Sequence, residues 1–475
     1  MNMQAIVLAA GQSTRFNTQE NKLTFTLCGR EMIAYIGRTL QDMAVPTTFI
    51  VGSQKERIQE IITNHSISAT YIEQLEQKGT GHALMCSRSA WQADHILVLN
   101  GDVPLITHDI LNELMTKHNE TDAAMSFVTA HQNDPCSQGY GRVVEDDGHI
   151  QIIEACNFTS ETYEDSKINA GIYLIKKSFL EDAIQHLQAD TTTHEIFITD
   201  LVAYASNNKQ TVTTTVAPFD YIRGINTLKE LWTAEHIKRS ELISYWMHQG
   251  VRFSAAQNVY LDIDVTIGSG SFIGTSVLLT KGTQIGKNCF IDAFSKIENT
   301  TIGDAVTVHP NCVLDTVQVK NSATVGPFAH VRNNSIIEDH AVIGNFVEVS
   351  ASRIGQHTKA KHLTYIGNTE TGTSVNFGAG TITCNYDGLE KHNTSIMDNA
   401  FIGSNTSLIA PVTIGKNSII GAGSTITHNV PAEALAIARS KQTNKHDYAD
   451  MIRNKKKGLT DIQFQRARKT TEPNG

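Results

Sequence analysis

The stretch Thr266–Glu298, TIGSGSFIGTSVLLTKGTQIGKNCFIDAFSKIE, has an aliphatic residue at every sixth position: Ile267, Ile273, Leu279, Ile285, Ile291 and Ile297. The same spacing returns at Val325, Val331, Ile337, Ile343 and Val349, and again at Ile396, Ile402, Leu408, Ile414, Ile420 and Ile426. A six-residue repeat predicts a parallel β-helix, with one short strand per repeat and the spaced aliphatics stacked inside it. Those aliphatics are core. Chemistry is expected where the rhythm is interrupted, between Ser352 and Thr383, and at the insertion Cys384–Ser395, which leaves the coil.

Working outward, the first half has a different rhythm. Apolar strands are expected at Gln4–Ala9, Thr48–Val51, His95–Leu99, Ala123–Thr129 and Ala170–Leu174. Amphipathic helices are expected at Glu31–Met43, Glu56–Asn64 and Gly81–Ala90. Strand and helix in alternation predict a Rossmann-like α/β domain with a mostly parallel sheet, whose ligands sit at the carboxyl ends of the strands. From Thr227 to Gly250 the pattern is that of a connecting helix. The expected division is an α/β domain over 1–226, a linking helix over 227–250, the β-helix over 251–436 and a basic tail over 437–475.

Composition limits what such a chain can do. Its 475 residues carry a formal charge of -9, which argues against a nucleic-acid binder. The seven cysteines include no CxxC pair, so they read as reduced thiols of a cytoplasmic protein rather than a disulfide scaffold or zinc site. No run approaches the ~18 apolar residues of a membrane span.

Two motifs suggest phosphate chemistry. LAAGQSTR (Leu8–Arg15) follows the first strand and is followed by Lys22. A Gly-bearing turn offers N–H groups to phosphate, and Arg15 and Lys22 add positive charge. NGDVPL (Asn100–Leu105) ends another strand. Asp102 there suits Mg²⁺, which takes one or two protein carboxylates together with substrate phosphates. Taken singly, each segment is more often an ordinary turn.

Taken with QLEQKGTGHA (Gln74–Ala83), GYGR (Gly139–Arg142), Glu154, INAGIY (Ile168–Tyr173), EIFITD (Glu195–Asp200) and GIN ending at Asn226, these segments resemble the nucleotidyltransferase half of a bacterial bifunctional family. KAKHLTYIGN (Lys359–Asn368) and NFGAGTITCNYDG (Asn376–Gly388) are similar to its acetyltransferase half, and the resemblance covers residues 3–440. Members acetylate glucosamine-1-phosphate with acetyl-CoA, then join the product to UTP to give UDP-N-acetylglucosamine. The family's acetyltransferase fold is a left-handed parallel β-helix, and its members are homotrimers.

The resemblance implies that Leu8, Ala9, Ala10, Gly11, Gln74, Gly79 and Thr80 hold UTP, with Asn100 and Gly101 beside Asp102. Gly141, Glu154 and Asn169 would hold the sugar, and Asp102 and Asn226 would ligate Mg²⁺. Arg15 and Lys22 would neutralise the pyrophosphate. In the β-helix it implies His362 as general base, with Glu348 orienting it. Arg332, Tyr365, Asn376 and Lys391 would hold glucosamine-1-phosphate. Ala379, Asn385, Tyr386, Ser404, Ala422 and Arg439 would hold acetyl-CoA. The chain departs from the family pattern at Ser13 (Gly), Asn100 (Tyr), His330 (Arg) and Ser350 (Lys). A uridylyltransferase whose β-helix serves only as a trimerisation scaffold remains the alternative at this point.

Overall fold

The computed structural model describes residues 1–11, 16, 20–52, 54–131, 139–157 and 167–456. The chain forms two compact units, Met1–His340 and Ala341–Gly475.

In the first unit, nine strands form one sheet: β1 (Met3–Ala9), β2 (Thr47–Val51), β3 (Thr70–Glu73), β4 (His95–Asn100), β5 (Met125–Ala130), β6 (Arg142–Asp146), β7 (His149–Ile153), β8 (Lys167–Lys176) and β9 (Val212–Val216). The order is β9-β5-β8-β4-β1-β2-β3, with the β6–β7 hairpin joined to β8. All neighbours in the main path are parallel except β8, which runs antiparallel to both β4 and β5. Val7 of β1 faces one apolar cluster and Ile6 the other, so the strand is buried on both sides. That is why it reads as a continuous apolar run.

The expected Ala170–Leu174 strand is longer, Lys167–Lys176, and its register shifts between Asn169 and Tyr173. Gly171 within the shift has φ +70°, a conformation that a side chain resists. The connecting helix spans Leu228–His248. It begins at an N-terminal cap in which Thr227 Oγ1 accepts the Glu230 N–H at 3.2 Å and donates to Glu230 Oε2 at 3.1 Å, while Oε2 also accepts the Asn226 N–H at 2.8 Å.

The six-residue rhythm forms short parallel strands stacked coil upon coil, the three-sided sheets of a left-handed β-helix. In the first unit Ile267 lies over Ile285, Ile285 over Ile302, and Ile302 over Val319, all four buried. In the second unit Val342–Asn345, Lys359–His362, Asn376–Phe377, Phe401–Ile402 and Ile419–Ile420 form one such ladder.

The coil continues through Ser352–Thr383, where the rhythm was expected to break. Ala360, Ile366, Thr371, Phe377 and Thr383 fill the inward positions. What changes there is the residue type, not the backbone. The insertion does leave the coil: Tyr386 and Lys391 bridge each other, and Asp387 caps the loop by accepting the Leu389 and Glu390 N–H groups, both at 2.8 Å.

Cys28, Cys86, Cys156, Cys289, Cys312 and Cys384 are all free thiols. Among the described residues no helix is long and apolar enough to cross a membrane. The expected basic tail holds a helix at Tyr448–Lys456.

Candidate active sites

The first site is built at the carboxyl ends of β1 and β4. A cavity of about 510 Å³ is lined by Leu8, Ala9, Ala10 and Gly11 from the end of β1, by Gln74, Gly79 and Thr80, and by Lys22, Asn100, Asp102 and Asn226. Gly79 is obligatory here. Its φ is +97°, and a Cβ would come within 2.5 Å of the Ile196 carbonyl oxygen. Buried Gln74 is held by His82 Nδ1 at 2.9 Å and by donation to the Gly79 carbonyl at 3.3 Å. Gly101 donates its N–H to the Leu8 carbonyl at 2.8 Å, which fixes the turn before Asp102.

A second cavity, of about 300 Å³, is lined by Gly141, Glu154, Asn169, Tyr140 and Thr199. Thr80, Asn100, Asp102 and Asn226 line both. Thr199 Oγ1 donates to Glu154 Oε1 at 2.7 Å, yet burial, the largest influence, raises the Glu154 carboxyl above its ordinary range. Asn169 Nδ2 donates to Tyr173 Oη at 2.6 Å. Tyr140, missed in the sequence reading as a positioning group, accepts the Gly224 N–H at 2.6 Å and so ties the GYGR segment to the turn before Asn226.

Between the two cavities Lys22 Nζ donates to Asp102 Oδ2 at 2.6 Å and to Asn226 Oδ1 at 2.8 Å. Asn21 caps the short turn that carries Lys22, accepting the Leu23 N–H at 3.0 Å. These three polar residues come from segments as far as 204 positions apart in sequence. Arg15 and Ser13 lie outside the described residues.

In the second unit His362 ends the strand Lys359–His362 and is exposed. Its register partner on the preceding coil is Asn345, whereas Glu348 is opposite Tyr365. Asn345 Oδ1 is buried and accepts no hydrogen bond among the described residues. Asn385 Nδ2 donates to Asn368 Oδ1 at 2.7 Å. Tyr365 Oη and Asn385 Nδ2 both crowd Gly367, where a Cβ would collide with each. Ser350 is buried opposite Gly367. Asn376 is half-buried and pairs in register with Lys359, and Lys391 is exposed on the inserted loop.

Ala379, Ser404, Ala422 and Arg439 follow one another down one corner of the coil. Asn405 donates its N–H to the Ala379 carbonyl at 2.8 Å, Gly423 to that of Ser404 at 2.8 Å, and Arg439 Nη1 to that of Ala422 at 2.9 Å. Arg332 lies in the first unit, half-buried on the strand His330–Arg332.

Residues 5–199 match a MobA-like NTP transferase domain. Residues 282–316 and 393–428 match the bacterial transferase hexapeptide (six repeats), and 264–293 the hexapeptide repeat of succinyl-transferase. Bifunctional protein GlmU of Koribacter versatilis is 38% identical, covering 95% of this chain and 97% of that protein. The chain belongs to the bifunctional GlmU family. Two further GlmU proteins are each 37% identical: that of Exiguobacterium sibiricum covers 94% of this chain over its whole length, and that of Pelobacter propionicus covers 96% over 99% of its length. As a GlmU-family chain with both transferase modules, it is a bifunctional nucleotidyltransferase and acetyltransferase. The β-helix as scaffold alone is not favoured.

Proposed function

We propose that the first site joins UTP to N-acetylglucosamine-1-phosphate, with the nucleotide in the larger cavity and the sugar phosphate in the smaller. The observation that carries this is the shared wall: Asp102 and Asn226 face both cavities. The sugar phosphate attacks the α-phosphorus of UTP in line, and pyrophosphate leaves. Such a reaction needs reactants held in position and negative charge neutralised, more than covalent chemistry.

Gln74 reads the uracil edge, and the Ala10–Gly11 backbone receives phosphate oxygens. Gly141, Glu154 and Asn169 hold the sugar hydroxyls. Lys22 and Arg15 neutralise the leaving pyrophosphate. Asp102 and Asn226 offer one carboxylate and one amide oxygen, hard donors that fit Mg²⁺ completing its shell with water and phosphate. When bound, that ion supplies charge neutralisation at the reacting phosphates.

In the β-helix His362 removes a proton from the glucosamine-1-phosphate amine, which attacks the acetyl-CoA thioester and expels the thiol. Glu348 orients His362. Tyr365, Asn376 and Lys391 grip the sugar phosphate. Acetyl-CoA runs along the Ala379–Ser404–Ala422 corner beside Asn385 and Tyr386, with Arg439 at its phosphates. The protein works in the cytoplasm as a homotrimer. Exposed apolar corners in each unit, Phe294 and Phe328 in the first and Phe346 and Leu363 in the second, support the assembly.

Two assays on purified protein test the pair. Pyrophosphate release from UTP and N-acetylglucosamine-1-phosphate should vanish in Asp102→Ala. Thiol release from acetyl-CoA should require glucosamine-1-phosphate and vanish in His362→Ala. Either activity persisting in its variant refutes the corresponding site.

A further inference from the structure

We propose that Lys22 is a built-in counter-cation of Asp102 and Asn226, and that a divalent cation entering at these two side chains displaces its ammonium onto the polyphosphate of the nucleotide. The proposal rests on the reading of Asp102 and Asn226 as the cation site, and adds to it an internal competitor.

The geometry is direct. Lys22 Nζ bonds the two donor oxygens assigned to the cation, at 2.6 Å and 2.8 Å. The pair is largely sheltered, with the side chains of Lys22 and Asp102 only 15% and 17% exposed. Attraction between the charges is therefore screened less than at an open surface. A divalent cation of the Mg²⁺ type sits about 2.0–2.1 Å from its oxygens. With the ammonium on those same oxygens, two positive centres would stand within about 4 Å of each other. Only one can stay.

The displaced ammonium does not have to travel far. Asn21 fixes the backbone of the Lys22–Thr24 turn through the Leu23 N–H, and its Nδ2 reaches the Gly11 carbonyl at 3.5 Å. The four-carbon stem beyond that anchor has the rotatable bonds to reorient. Lys22 lines the same cavity as Ala10 and Gly11, the backbone expected to receive phosphate. A triphosphate there offers the ammonium a second anionic partner. Cation and nucleotide then assist each other through one side chain, and the assistance is reciprocal.

Mn²⁺ binding to the full-length protein, followed by electron paramagnetic resonance or calorimetry without nucleotide, provides the test. Lys22→Met should bind Mn²⁺ at least ten-fold more tightly than the unaltered chain, and saturating UTP should narrow that gap. Lys55→Met changes net charge equally at the exposed Lys55–Glu73 pair and should leave the affinity unchanged. Equal or weaker affinity in Lys22→Met overturns the proposal, as does equal tightening in Lys55→Met.

Failure of the cation-site reading itself is separate: Asp102→Asn would then bind Mn²⁺ as well as the unaltered chain. Loss of binding in Asp102→Asn, with no gain in Lys22→Met, sinks the competition alone. A measurement on the unaltered chain is independent of variant folding. The ¹⁵N signal of the Lys22 ammonium should shift on saturation with Mg²⁺, and an unmoved signal refutes displacement.

Discussion

Glu230 Oε2 accepts the backbone N–H of Asn226 at 2.8 Å, so the cap of the 228–248 helix also sets the position of a residue in the wall shared by the two cavities. The neighbouring Ile225 N–H is donated to the Asp102 carbonyl at 2.9 Å, which ties the same turn to the other proposed cation ligand. Losing an N-terminal cap interaction costs about 1 kcal/mol. Glu230→Ala should therefore lower the melting temperature modestly. It should also raise several-fold the Mg²⁺ concentration needed for half-maximal uridylyl transfer, with acetyl transfer unchanged. Glu230→Gln keeps an acceptor oxygen and should stay near the parent. An unaltered Mg²⁺ requirement in Glu230→Ala would show that the cap is structural only.

Gly79 holds the turn that follows Gln74 and precedes the helix Thr80–Cys86. At φ +97° an alanine is strained, and its Cβ would meet the Ile196 carbonyl oxygen at 2.5 Å. Backbone strain of this kind costs about 1–3 kcal/mol. The turn must shift, and with it the Gly79 carbonyl that receives the Gln74 amide. Gly79→Ala should raise KM for UTP more than KM for the sugar phosphate. Initial-rate kinetics with each substrate varied separately decide this, and an equal rise in both would count against Gln74 as the base-reading group.

The sequence showed the β-helix clearly because its core repeats: one inward aliphatic per strand is imposed by the geometry of the coil, and Ile267, Ile285 and Ile302 display it. The parallel strands β1, β2 and β4 were legible for a related reason, burial on both faces. The antiparallel setting of β8 was not, since strand direction depends on tertiary pairing and leaves no mark in an apolar run. Side-chain partnerships were least legible of all. Lys22, Asp102 and Asn226 each stood out as members of motifs, but nothing in their spacing announces that one ammonium joins the other two. Likewise Asn345 lies outside both quoted β-helix motifs, and only strand register sets it opposite His362.

A buried histidine beside a half-buried one makes stability depend on pH. His118 Nε2 faces His95 Nδ1 at 3.2 Å, and its Nδ1 meets Ser126 Oγ at 2.7 Å. Burial, then the neighbouring His95 and Lys176, lowers the His118 pKa to about 4 against the opposing pull of Asp122. The unfolded chain takes up this proton near pH 6.5. Between pH 6.5 and about 4 the unfolded state binds a proton that the folded state refuses, so stability falls as pH falls. Above pH 6.5 the group contributes no slope. Burial also lowers the His95 pKa, which adds a slope of the same sign. Thermal melts from pH 4.5 to 7.5 should show the decline, and His118→Gln should lessen it; a slope unchanged by this substitution would assign the acid sensitivity elsewhere.

Leu363 follows His362 directly, has φ 46° and is 63% exposed. One coil earlier Phe346 does the same, at φ 54° and 55% exposure. Left-handed backbone costs a non-glycine residue roughly 1–2 kcal/mol, and Asn tolerates it best, as at Asn399, Asn405 and Asn417 of the same unit. Large apolar side chains at such corners stay more than half exposed in a single chain. Covered by a second copy they would regain roughly 25 cal/mol per Å² of buried apolar surface, which offsets the strain. Because His362 is the adjacent residue, the assembled copy would also wall the proposed acetyl-transfer site. Leu363→Asp should therefore convert the proposed trimer to smaller species in sedimentation and cut acetyl transfer at least ten-fold, while uridylyl transfer stays near the parent and Leu363→Met keeps the parent's assembly. A Leu363→Asp protein that sediments as a trimer with full acetyl transfer would remove this corner from the interface.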